Sequence, residues 1–164
     1  MLRDKNLIPL SHQHQKMLAL CVRIDRAQPI PAADLPAWRE EMAQLFENEI
    51  QIHFAAEEEI VFRVAREVPE LRSLADELTN DHILLRQGFG SAESRQMAAE
   101  ALPAFAQQLS AHIRKEERQL FERMQKLLSP EELARVGVLL ESALRDAGRS
   151  CLLGNEATKL RPRS

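Results

Sequence analysis

The chain has 164 residues, 45% hydrophobic and 29% charged, enough apolar side chains for one soluble domain with a single core. Five Gly, six Phe, one Trp and no Tyr leave few turn-formers and few strand-favouring aromatics, which favours an all-α fold. A net charge of −3 argues against nucleic acid or an anionic membrane as partner, and the charged start Met1-Leu2-Arg3-Asp4-Lys5, with no long apolar run, points to a cytoplasmic protein.

Apolar residues recur at helical spacing in five segments. The first spans 10–26 and puts Leu10, His14, Met17, Leu18 and Cys21 on one face, and Gln28-Pro29-Ile30-Pro31 ends it. The second starts near Asp34 or Pro36, carries Trp38, Met42, Leu45, Phe46, Ile50, His53, Glu57, Ile60 and Val61, and stops at Val68-Pro69. The third runs over 70–87 with Leu71, Leu74, Leu78, His82 and Leu85 at steps of three and four, and Gly88-Phe89-Gly90 is its expected end. The fourth carries Leu102, Phe105, Leu109, His112, Ile113, Glu116, Leu120, Met124 and Leu127, with a break or kink expected near Pro103. Ser129-Pro130-Glu131-Glu132 announces the fifth: a Ser N-cap, Pro at the first helical position and Glu at the third, followed by Leu133, Val136 and Leu140.

Four amphipathic helices with mostly short connections predict an up-down-up-down four-helix bundle, with the additional C-terminal helix packed beside it. This forms one domain over 1–146, and residues 147–164 read as a poorly ordered tail. The apolar face of the fifth helix has no partner assigned by the sequence, which leaves room for a homodimer. Cys21 and Cys151, with no CxxC, imply reduced thiols rather than a disulfide or a thiolate zinc site.

Chemistry enters with the histidines: His14, His53, His82 and His112 each sit on the apolar stripe of a different bundle helix. If such a stripe takes about a third of helical positions, four chance landings have odds of roughly one in eighty. Two are followed four residues later by a carboxylate, Glu57 after His53 and Glu116 after His112, a spacing that puts both side chains on one face. A core-facing Glu needs a cation, and the simplest common partner for four imidazoles and two carboxylates is one or two metal ions. Imidazole and carboxylate without thiolate suit iron, manganese or zinc, and a carboxylate-bridged pair suits iron or manganese best. The Glu-x-x-His of ferritin-like di-iron proteins is missing, since no acidic residue stands three positions before any of the four.

One His on the first helix, His-x-x-x-Glu on the second, His on the third and His-x-x-x-Glu on the fourth resemble the hemerythrin-like (HHE cation-binding) domain. The supporting words are Leu10-Ser11-His12-Gln13-His14, His53-Phe54-Ala55-Ala56-Glu57-Glu58-Glu59, Asp81-His82-Ile83-Leu84-Leu85-Arg86 and His112-Ile113-Arg114-Lys115-Glu116-Glu117. The resemblance implies a non-heme di-iron centre with His14, His53, His82 and His112 as terminal ligands and Glu57 and Glu116 bridging two irons, manganese or zinc fitting less well. Its implied partner is dioxygen, nitric oxide or peroxide, or iron itself as cargo. Oxygen-carrying members resemble one another in a second His four residues from the third-helix His, where this sequence has Leu78 and Arg86, a difference that favours a reactive, sensing or iron-handling site.

A di-iron peroxidase or oxidase would use the same ligands, and a metal-free interaction bundle is the rival from another class. With no nucleophile–base pair and no phosphate loop, binding is favoured over turnover. Of the remaining polar residues, Glu49 is a candidate for supporting or joining the site, His12 reads as exposed, and Glu58, Glu59 and Glu117 read as a solvated face. Arg86 is either a surface residue or the partner of a site carboxylate, and Cys21 reads as core filling.

Overall fold

The computed structural model describes residues 2–145, 147 and 156–159, and among them every regular element is helical. Helix α1 is Ile8–Arg26. Helix α2 is a continuous rod over 35–67, assembled from the α-helical stretches Leu35–Leu45, Gln51–Ala56 and Arg63–Glu67 and the π-helical turns Phe46–Ile50 and Glu57–Phe62. Helix α3 is Pro69–Glu93, and α4 covers 101–127 with a π-helical turn at Glu116–Leu120. Helix α5 is Pro130–Ala143.

Local chemistry sets most of the boundaries. Val68 is extended (φ −96°, ψ 114°), as the residue before a proline prefers, and Pro69 opens α3 at a position where a missing N–H costs nothing. At α5 the capping box forms as the spacing predicts: Ser129 Oγ accepts from the Glu132 N–H at 3.2 Å, and Glu132 Oε2 accepts from the Ser129 N–H at 2.8 Å. Pro103 lies in the first turn of α4, and the expected break falls just before it, over 94–100.

Helix α3 corrects the expectation that Gly88-Phe89-Gly90 ends it, because it runs on to Glu93. Phe89 is fully buried, stacked on Phe46 at 4.9 Å and edge-on to Phe105 at 4.9 Å, so this turn has core to pack against. Gly88 stands there because a Cβ would fall 2.4 Å from the Phe105 ring. The chain turns instead at Arg95, whose φ is 61°.

The core divides into two apolar clusters with the histidines between them. One contains Met17, Leu20, Trp38, Met42, Leu85, Phe89 and Leu109. The other contains Leu10, Val61, Phe62, Leu74, Leu78, Leu120, Phe121 and Met124. Along α1 the second cluster (Leu10) precedes His14 and the first (Met17) follows it, α2 has the reverse order, α3 repeats α1 and α4 repeats α2. That alternation is the up-down-up-down topology, and it places all four histidines at one level. Leu133, Val136 and Leu140 of α5 are buried in the second cluster, so the face left without a partner by the sequence is covered within the chain.

No helix among the described residues is long and apolar enough to cross a membrane. Most of the expected tail, including Cys151, lies outside the described residues. Within it, Glu156–Thr158 form a single 3₁₀ turn, where Thr158 is buried and its carbonyl accepts from Arg23 Nη1 at 2.9 Å.

Candidate metal centre

All six predicted site residues meet at the bundle midpoint, and all are essentially buried: His14 1%, His53 1%, Glu57 0%, His82 0%, His112 2% and Glu116 0% exposed. Each imidazole turns Nε2 inward, and they form two pairs. His14 and His53 approach at 3.0 Å between Nε2 atoms, and His82 and His112 at 3.1 Å. The carboxylates lie between the pairs. Glu57 presents Oε1 to His53 (3.1 Å) and His14 (3.4 Å), and Oε2 to His82 (3.3 Å). Glu116 presents Oε2 to His14 (3.2 Å) and His112 (3.3 Å), and Oε1 to His82 at 4.0 Å.

None of the four carboxylate oxygens accepts a properly oriented hydrogen bond, although all are buried. An orphaned buried carboxylate is costly, and four such oxygens facing four imidazole nitrogens are the donor set a cation satisfies. Donor atoms of Glu57, His82, His112 and Glu116 lie within 4.8 Å of one another, as do those of His14, His53 and Glu57. The residues therefore fit a metal.

The π-helical turns add a feature the sequence did not disclose, since two of the three begin at a site glutamate, Glu57 and Glu116. A π turn inserts an extra residue into the helical period and re-aims the side chains that follow. Here it lets the His-x-x-x-Glu pair face inward while Val61 and Leu120 stay in the core.

Outside the imidazoles runs a closed circle of acceptors. Gln13 on α1 accepts from His53 Nδ1 on α2 (2.7 Å), and Glu58 on α2 accepts from His82 on α3 (2.8 Å). Asp81 on α3 faces His112 on α4 (3.4 Å), and Glu117 on α4 accepts from His14 on α1 (2.7 Å). These acceptors assign the proton to Nδ1 and leave Nε2 as the inward lone pair. Three are anchored by cations: Arg3 on Glu117 (2.6 Å), Arg86 on Glu58 (2.6 Å) and Lys115 on Asp81 (2.9 Å).

The expectation that Glu58 and Glu117 belong to a solvated face is thus corrected, whereas Glu59 and His12 are exposed as expected. Arg86 takes the paired alternative, with Glu58 as its carboxylate. Gln13 and Asp81 lie off the apolar stripes, yet each acceptor stands next in sequence to an inward residue. One residue is about 100° of helical rotation, which moves a side chain from the stripe to the seam with the neighbouring helix. Glu49 is buried but bonds Lys16 Nζ at 2.9 and 3.1 Å and stays outside the donor cluster.

Electrostatics at the centre favour positive charge. Burial lowers the pKa of His112, but the charge of Glu116 and a bond to Asp81 outweigh it and push the imidazole up to about 9. Burial likewise opposes the charge on His14 and His82, and their glutamates overcome it and raise both. His53 alone is lowered, its burial outweighing Glu57. Burial raises Glu117 and Glu58, yet bonds from His14 and from His82 with Arg86 bring both carboxyls down to about 2.

Aromatic rings press on the outer faces of the histidines. Phe54 stacks on His82 at 3.9 Å and Phe121 on His14 at 5.8 Å. Cys21, at 7% exposure, is held in the first apolar cluster, where burial pushes its thiol up to about 11, the protonated form of a core residue.

A four-helix bundle with a buried four-histidine, two-glutamate centre between two apolar clusters defines a cation-binding helical protein. The sequence model of the hemerythrin HHE cation binding domain matches residues 9–124, and the chain belongs to that family. No curated protein and no solved structure matches the chain.

Proposed function

We propose that the protein is a non-heme di-iron protein that binds or senses a small molecule (dioxygen, nitric oxide or peroxide), or handles iron itself, in the cytoplasm. The observation that carries this reading is the division of the donors: two imidazole pairs, with the oxygens of two glutamates distributed between them. His14 and His53 would hold one iron, His82 and His112 the other, and Glu57 and Glu116 would bridge. Manganese or zinc fits this donor set less well than iron does. A bound iron pair would supply reversible one-electron redox change and positions that no side chain fills.

The protein's own share is to orient and to enclose. The acceptor circle holds every imidazole in one tautomer and at one angle, so the Nε2 atoms converge without rearrangement. Phe54, Phe121 and the two apolar clusters limit water at the centre.

Metal content per chain, with the visible spectrum of protein purified anaerobically without a metal-affinity tag, tests the reading. About two irons per chain, lost together in Glu57→Ala and in Glu116→Ala, is the expected result for a carboxylate-bridged pair. A folded protein that takes up no iron on reconstitution overturns it.

A further inference from the structure

The acceptor circle has one odd member. His14, His82 and His112 each face a carboxylate with Nδ1, whereas His53 faces the neutral amide oxygen of Gln13. The two imidazole pairs therefore differ: His82 and His112 are both backed by carboxylates, and His14 and His53 by one carboxylate and one amide.

Each of the three carboxylates is itself held by a cation, Glu117 by Arg3, Glu58 by Arg86 and Asp81 by Lys115, so the difference between the pairs lies in the acceptor behind His53. An N–H donated to a carboxylate makes an imidazole a more basic metal ligand than one donated to an amide.

We infer that the two metal positions are inequivalent, that the one between His82 and His112 binds its ion more tightly, and that Gln13 is the positioning residue that weakens the other. The inference rests on the dinuclear reading above. It gives the site one retained ion and one exchangeable ion, the arrangement suited to an iron-handling protein or to a sensor whose response is the loss or gain of a single metal.

Cobalt(II) titrations of metal-free variants, followed by optical absorption, test it with only one imidazole pair complete at a time. His53→Ala keeps the His82–His112 pair and is expected to bind cobalt about ten-fold tighter than His112→Ala, which keeps the His14–His53 pair. Adding Gln13→Glu to His112→Ala closes that gap, while adding it to His53→Ala changes nothing because the imidazole it serves is gone. Equal affinities, or tighter binding by the His14–His53 pair, overturn the inference and leave the dinuclear reading standing.

The unmutated protein supplies a check that does not depend on the folding of variants. Its first equivalent of cobalt shifts the Nδ1–H NMR signals of His82 and His112 before those of His14 and His53, and the opposite order overturns the inference. Saturation at no cobalt, or at one ion per chain, overturns the dinuclear reading and the inference with it.

Discussion

Glu117 Oε1 lies 2.7 Å from Nδ1 of His14, a contact between residues 103 positions apart that joins the fourth helix of the bundle back to the first. With it, each helix supplies the acceptor for the histidine of the next, and the imidazoles are locked to one another through the whole bundle. A histidine held only by packing could rotate its ring; one donating to a carboxylate that Arg3 fixes in place cannot do so without giving up that hydrogen bond.

The acceptors and the bridges are expected to fail differently. Glu117→Ala or Glu58→Ala leaves all six inward donors in place and weakens iron binding by about 10- to 100-fold, the usual cost of losing such a support. Glu57→Ala removes oxygens from both metal positions and is expected to abolish the pair. Anaerobic iron titration monitored by absorption separates a weakened two-ion stoichiometry from a lost one.

Loaded and metal-free forms are expected to show opposite pH dependence. In the metal-free protein, His14, His82 and His112 have raised pKa values, so their contribution is complete below the ordinary 6.5 and is lost as pH rises through about 9 for His112. Glu58 and Glu117 are depressed, so theirs is present above the ordinary 4.5 and lost as pH falls through about 2. His53, lowered, runs against the other imidazoles below 6.5. Ligation requires neutral imidazole, so added metal stabilises most at high pH and least in acid. The gap in Tm between the two forms should widen steadily from pH 5 to pH 9; a gap that narrows contradicts these shifts.

Gly88 and Gly90 make a matched pair for testing the packing of α3. A Cβ at Gly88 would lie 2.4 Å from the Phe105 ring, which Phe89 holds edge-on, and Gly88→Ala should destabilise by about 1–3 kcal/mol through overpacking. Nothing lies within 4 Å of a Cβ at Gly90, and Gly90→Ala should stabilise by about 0.5–1 kcal/mol, because helix formation then costs less chain entropy. Urea midpoints with an unchanged slope decide both.

Ser129→Ala removes the hydroxyl that accepts from the Glu132 N–H and should cost about 0.5–2 kcal/mol. The loss should be felt beyond α5, because Leu133, Val136 and Leu140 cover the second apolar cluster. Urea unfolding read by far-UV circular dichroism checks the size, and an unchanged midpoint would show that α5 docks without its cap.

Where the sequence was legible, the determinant was local. His53 and Glu57 share a face because they are four residues apart on a helix, whatever the helix packs against, and the same holds for His112 and Glu116. Ser129 and Glu132 cap one another across a single turn. The four-helix topology follows from stripes joined by short connections, and the six inward residues follow from those stripes.

Tertiary structure alone decided what depends on a neighbouring helix. Gly88 reads as a stop until the Phe105 ring is seen against it, and Glu58 and Glu117 read as solvated until the next helix brings an imidazole to each. The pairing of His14 with His53, and of His82 with His112, is likewise a matter of which Nε2 atoms converge, and helical periodicity has no term for it. Sequence spacing determines which way a side chain leaves its own helix; the atom it meets is set by the packing of four helices at once.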